Sequence, residues 1–325
     1  MIVKCMKIIA AFSLCTFLVI YQLFITNVTL ANEWGLEEQA MEQDKCDSTV
    51  LHYDGKSWNH VYYGFNIWLT GIYGFADNDI FAIGEHGAIL HYDGKSWTRQ
   101  ESHTTYRLNC IWGSNHDNIF VAGDYGTLLH YDGKEWKYLA LGISGILSNV
   151  WGFGRESVFV VGSLGKILHC DGENWREQNS GTTNWLYGIW GNNRTNIYAV
   201  GVYGTILHYD GNKWGKAVQF TNKRLTDVWG TSAKNVFVVG ADGLIFHYDG
   251  MKWVQQRSGS TNWLRGIWGI DDNNIFAIGD NGTILYYNGS KWIKQKSNTN
   301  FLLFGIWGNR KDNVYVVGYN PKGHY

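Results

Sequence analysis

The chain is nearly without proline: Pro321 is the single one in 325 residues, and it stands close to the C-terminal end. Proline has no N–H to give a β-ladder, so a long stretch free of it suits dense strand pairing. Cysteine is sparse as well. There are five, with no Cys-x-x-Cys pair, so the spacing suggests no zinc site. Cys5 and Cys15 lie near the N-terminus, which leaves Cys46, Cys110 and Cys170; a disulfide framework is not expected. No block of Lys and Arg occurs, and the formal net charge is −1. Neutralising phosphates takes a basic footprint, so nucleic acid is set aside as a partner. Glutamate is thin in the central part of the chain (Glu85, Glu101, Glu135, Glu156, Glu173 and Glu177), and no pair suited to glycoside hydrolysis can be nominated.

What is abundant is aromatic and periodic. A tryptophan recurs at Trp58, Trp97, Trp136, Trp175, Trp214, Trp253 and Trp292, always 39 residues apart. A second anchor, an aromatic followed by glycine, keeps the same step from Tyr73-Gly74 through Trp112-Gly113 to Trp307-Gly308. Seven units of 39 residues therefore account for residues 48–320 without an insertion between anchors.

Ahead of them, residues 1–31 read as an export signal. Lys4 and Lys7 precede an apolar run of 18 residues (8–25), and Thr29-Leu30-Ala31 offers a small-residue cleavage site. The run is also long enough for an uncleaved membrane anchor. Either reading places the remainder outside the cytoplasm, periplasmic or secreted. Residues 32–47 carry Glu33, Glu37, Glu38, Glu42, Asp44 and Asp47 and read as an acidic, solvated linker; residues 321–325 form a C-terminal tail.

Each unit parses into four short strands: Leu-x-Gly-Ile-Trp-Gly, then Asn-Ile-Phe-Ala-Ile-Gly, then Gly-Thr-Ile-Leu-His-Tyr, and a last strand opening at Lys-Trp. Asp-Gly between the third and fourth is the strongest short hairpin signal and predicts a two-residue type I′ turn. Four antiparallel strands repeated seven times is the pattern of an all-β, seven-bladed β-propeller. The ends complement one another. The last unit supplies only a first and second strand, and the opening residues 50–53 and 58 onward supply only a third and fourth, so one composite blade is expected to close the ring and remove free edges.

The hairpin Tyr-Asp-Gly-Lys-Ser-Trp at residues 92–97 and its copies resemble the Asp-box of sialidase-type (BNR) repeats, and the whole unit is similar to bacterial BNR-like propellers, including the photosystem II stability/assembly-factor-like group. Asp and Gly are adjacent here, where the sialidase pattern spaces them by one. The resemblance implies a propeller and a part in assembling a protein complex. A sialidase-like member would need an arginine cluster, a Tyr/Glu nucleophile pair and an acid, and the Phe-Arg-Ile-Pro stretch that accompanies them is absent.

The in-phase histidines His52, His91, His130, His169, His208 and His247 lie in different blades, so they are read as hydrogen-bonding within their own blade; no metal and no cofactor is assigned. Positions that vary inside the strict frame are candidates for binding. Before the constant leucine stand Trp68, Arg107, Ile146, Trp185, Arg224, Trp263 and Leu302; after it Thr70, Asn109, Ser148, Tyr187, Thr226, Arg265 and Phe304; in the turn between second and third strands His86, Tyr125, Leu164, Tyr203, Asp242, Asn281 and Asn320. These sets are expected on one face around the channel mouth. Trp68, Arg107, Trp185, Tyr187, Arg224, Trp263, Arg265, His86, Tyr125 and Tyr203 are the residue types that grip partners. Capping of the gaps between blades is an equal alternative for Trp68, Trp185 and Trp263. The expected function is that of an exported, non-catalytic, monomeric scaffold recognising a protein partner. A lectin-like propeller binding glycans and a sialidase-like glycoside hydrolase are the alternatives.

Overall fold

The computed structural model describes residues 48–63 and 67–321. The leader at 1–31, the acidic linker at 32–47 and all but the first residue of the tail lie outside the described residues. The remainder is a seven-bladed β-propeller, each blade a four-stranded antiparallel sheet. Six blades are continuous in sequence, beginning with residues 69–100 and ending with 264–295. The seventh is composite. Leu302–Arg310 and Asn313–Tyr319 supply its inner strands, and Ser48–Tyr53 and Trp58–Tyr63 its outer ones.

Burial explains the sequence of each strand. The second strand of a blade is covered on both faces by its neighbours, so it reads as an apolar run instead of an alternation; Asn118–Gly123 and Val158–Gly162 are buried throughout. Phe81, Phe159, Phe237 and Phe276 are among the largest fully buried side chains, one from each of four such strands. The outer strand is open to solvent, as in Trp97–Gln100, where Thr98 and Arg99 are exposed and Trp97 and Gln100 half-buried.

The Trp-Gly anchor has a steric cause. Five of the six inner-strand tryptophans lie across the glycine of the next blade: a Cβ on Gly269 would stand 2.7 Å from Trp229 Cη2, and one on Gly152 2.7 Å from Trp112 Cη2, while Gly191 has Phe153 in that place. The bare glycine lets neighbouring blades close around the axis, and the tryptophans follow one another at ring separations near 6 Å, 6.2 Å for Trp112–Trp151 and 6.4 Å for Trp151–Trp190.

The hairpin turn differs from the type I′ expectation. Tyr92 pairs with Trp97, which leaves the four residues 93–96 in the loop. Only Gly94 there has positive φ, at 90°. Asp93 is held in place because its carboxylate accepts the N–H groups of Lys95 and Ser96, each at 2.8 Å. These bonds hold its carboxyl below the usual range. Asn288 does the same without charge, accepting from Ser290 and Lys291 at 3.1 Å, which is why it substitutes freely. The aspartates are turn builders.

The in-phase histidines bond within their own blades, as the repeat implies. His208 Nε2 lies 2.7 Å from Asn196 Oδ1, His130 2.9 Å from Asn118 and His52 2.7 Å from Asn313. Each also lies against the aromatic of the second strand, stacked as His169 is on Phe159 at 4.1 Å or tilted as His208 is on Tyr198 at 4.7 Å. Burial pulls His130, His169, His208 and His247 below the ordinary imidazole value. Cys110 and Cys170 are free thiols in separate blades, both raised by burial.

A candidate partner-binding mouth at one end of the channel

A bulge shapes the mouth. In every blade the pairing of first and second strands slips just after the constant leucine: Leu69 faces Gly84 while Gly71 faces Ile83, and Leu264 faces Gly279 while Gly266 faces Ile278. The extra residue is the variable one, Thr70 in the first blade and Arg265 in the sixth. A bulge leaves a residue unpaired and re-aims its side chain. Seven bulges thus deliver Thr70, Asn109, Ser148, Tyr187, Thr226, Arg265 and Phe304 to the wall of an axial cavity of about 640 Å³.

Some of these residues also hold the ring together. Thr70 Oγ1 donates to the carbonyl of Leu108 in the next blade at 2.5 Å, Thr226 donates to Leu264 at 2.6 Å, and Asn109 Nδ2 to Leu147 at 3.1 Å. Variation at the position therefore does not mean release from structural duty. The turn set lies on the same face as the mouth, because its backbone is tied to the residue before the leucine: Glu85 N–H donates to the Trp68 carbonyl and Asp124 N–H to that of Arg107.

On one side of the mouth the candidate residues form a ladder of alternating π-faces and guanidinium groups. Trp185 stacks on Tyr187 at 5.2 Å. The Arg224 guanidinium lies 4.9 Å from the Tyr187 ring and 5.0 Å from Trp263. Arg265 follows, 5.7 Å from Trp263 and 4.5 Å from Phe304. Phe304 stacks on Tyr319 at 5.0 Å, and Tyr319 on Trp68 at 4.3 Å with an interplanar angle of 4°. The ladder runs from the fourth blade through the closing blade to the first. Arg107 joins from the second, 5.9 Å from Phe304. Seven of the ten candidates are therefore brought together. His86, Tyr125 and Tyr203 stand apart on the outer rim, exposed and left-handed at φ 54°, 55° and 56°. Each sits in the same tight turn, where the following glycine passes close beneath the incoming loop.

The three cations differ in their partners. Arg107 meets Glu85 at 3.3 Å, and Arg265 grips Asp280 with two nitrogens, the second at 3.2 Å. Arg224 has its two aromatic faces and, among the described residues, no carboxylate in ion-pair reach. The mouth's own acids are engaged: Asp124 accepts from Asn109 at 2.8 Å, and Asp227 accepts the N–H groups of Val228 and Ile267 at 2.9 and 3.0 Å. Asp227 lies deeper, at the position held by glycine in four blades, in a throat shared with Cys110 and Asn149, and burial raises its carboxyl to about 7. Tyr319 is the member that the repeat reading passes over. It falls in a frame held elsewhere by Glu85, Asp124, Ser163, Val202, Ala241 and Asp280, and that departure is its signal in the sequence.

The propeller has solved counterparts. YCF48 from Cyanidioschyzon merolae superposes with a TM-score of 0.66 at 16% identity, over 82% of this chain and 99% of that one. A structure described as YCF48 bound to D1 peptide gives 0.63 at 15% identity over 78% and 91%. The WD40 propeller domain of Doa1 gives 0.64 at 12% identity over 84% and 99%. What is shared at these identities is the fold. No protein-family model matches the chain, the BNR/Asp-box repeat included, and no curated protein matches it.

Within that fold the mouth tryptophans are already in use. Trp185 Nε1 donates to Ser148 Oγ of the preceding blade at 2.8 Å, and Trp68 is stacked across the ring closure on Tyr319. Both bridge neighbouring blades, as the capping alternative expects. Trp263 meets two guanidinium groups, those of Arg224 and Arg265.

Proposed function

We propose that the chain is an exported, non-catalytic scaffold that recognises a protein partner by taking an extended segment of it across the channel mouth. The observation that carries this reading is Arg224, a cation against the rings of Tyr187 and Trp263 with no acid in ion-pair reach among the described residues. A guanidinium fixed this way is pre-organised for a carboxylate or a main-chain carbonyl, and aromatic and arginine side chains are the anchors of protein interfaces. The peptide in the YCF48 complex supports the same use of a similar fold. Export rests on the apolar run at residues 8–25 behind Lys4 and Lys7. The carbohydrate reading has thinner support, since sugar stacking needs a bare ring face, and Trp68 is already stacked on Tyr319 and Trp263 already meets Arg224.

The test is site-specific photo-crosslinking in the native host. A photoreactive residue at Tyr187 or Tyr203 is expected to capture one discrete protein partner, and the adduct should vanish in the Arg224→Glu background. A probe at Lys311, on the opposite face, should capture nothing discrete. Equal labelling from both faces, or adducts indifferent to Arg224→Glu, would rule the mouth out as the docking site.

A further inference from the structure

On the face opposite the mouth the first blade departs from the repeat. At the start of the second strand six blades carry an uncharged residue, Asn118, Ser157, Asn196, Asn235, Asn274 or Asn313, which bonds the in-phase histidine or tyrosine. The first blade carries Asp79 instead, and its carboxylate meets His91 Nε2 at 2.8 Å. A second departure meets it from the next blade. The turn between first and second strands reaches back to the preceding blade around the ring: Asp77 to Asn313 at 3.0 Å, Asp272 to Asn235 at 2.8 Å. In the second blade that turn residue is His116, and its Nδ1 lies 2.8 Å from Asp79 Oδ2 and 3.0 Å from Oδ1. At those two junctions an acid on the turn faces an amide on the strand. Here an imidazole on the turn faces a carboxylate already bonded to another imidazole.

We propose that Asp79, His91 and His116 form a zinc site that staples the first blade to the second. The three donor atoms lie within 4.8 Å of one another, and among the described residues no other group of three such side chains does. Two imidazole nitrogens and one carboxylate oxygen are the ligand set of a zinc ion that keeps a further position for water. Tetrahedral bonds of about 2.0–2.1 Å set donors about 3.3 Å apart, so the 2.8 Å contacts need to open by only about half an ångström. Asp79 and His91 are each 19% exposed and His116 45%, so two ligands are walled by protein while the third leaves a way in. The rings are braced: His91 stacks on Phe81 at 4.4 Å, and His116 meets the edge of Tyr131 at 5.8 Å. Reading the histidines by phase misses this site, because His116 is out of phase and comes from another blade.

The experiment is a Zn²⁺ titration by calorimetry on the full-length chain, purified without a polyhistidine tag and stripped with chelator. Co²⁺ is used in parallel to report geometry by its visible absorption. One ion per chain is expected, with a tetrahedral Co²⁺ spectrum lacking thiolate charge transfer and a rise in melting temperature on metal addition. Asp79→Asn restores the residue most other blades carry, so it should fold. It and His116→Ala should each weaken binding at least tenfold and abolish the thermal shift, while His103→Ala should change neither. Absence of a saturable site, or binding that survives Asp79→Asn and His116→Ala, would overturn the proposal and assign any bound metal to other histidines or to Cys5, Cys15 and Cys46.

Discussion

Val50 lies opposite Val317 across the ladder that closes the ring, so the first described strand is paired to the last. Six residue pairs make up this ladder, from Ser48↔Tyr319 to Tyr53↔Val314. Without it, Asn313–Tyr319 becomes a free edge made of an apolar strand, and such edges template aggregation. Deleting residues 48–63 should therefore replace a single cooperative melting transition with broad unfolding and a rise in light scattering. A truncated chain that melts like the intact one would mean that the closing ladder contributes nothing to the ring.

Asp227 makes stability depend on pH in a defined direction. Its carboxyl is raised from 3.8 to about 7, chiefly by burial in the throat, with two backbone N–H bonds acting the other way. The folded state thus holds a proton that the unfolded state has released once the pH passes about 4. Stability from this group is complete below that point and declines as pH rises through about 7. Urea unfolding across pH 4–8 should show this decline, and Asp227→Asn should flatten it. The channel leaves Asp227 partly accessible, so the size of the effect is smaller than for a sealed carboxyl. A slope unchanged by Asp227→Asn would place the titration elsewhere.

Much of this fold was legible because the constraint repeats. One blade's steric demands, a glycine beneath an aromatic ring of the preceding blade and an acidic or amide cap in the hairpin, recur around the ring. The composite blade was legible for the same reason, since residues 302–319 and 48–63 are complementary fragments of one unit. The turn type was not, because Asp93 holds its loop by accepting N–H bonds, and Asp-Gly reads alike in a two-residue and a four-residue connection. Nor was the double duty of Thr70 and Thr226, whose hydroxyls reach a carbonyl in the following blade. The mouth was legible as a set of variable positions. Its order, with Arg224 between Tyr187 and Trp263 and Tyr319 between Phe304 and Trp68, depends on curvature that brings consecutive blades together.

Arg224 and Arg265 should separate stability from recognition. Arg265 is paired to Asp280, whose side chain is only 23% exposed, so Arg265→Ala leaves a largely covered carboxylate without its cation. A loss of about 1–3 kcal/mol in urea unfolding is expected from that uncompensated group. Arg224→Ala strands no acid and forfeits only its contacts with two rings, each worth about 0.5–1 kcal/mol at an accessible site. It should therefore cost less stability than Arg265→Ala. Partner capture should run the other way: Arg224, which meets no carboxylate among the described residues, is the stronger anchor, while the Arg265 charge is already neutralised at the mouth. If Arg265→Ala reduces crosslinking more than Arg224→Ala at a temperature where both variants are folded, the free cation is not what the partner reads, and the stacked aromatic surface of Phe304 and Tyr319 becomes the part of the ladder to probe.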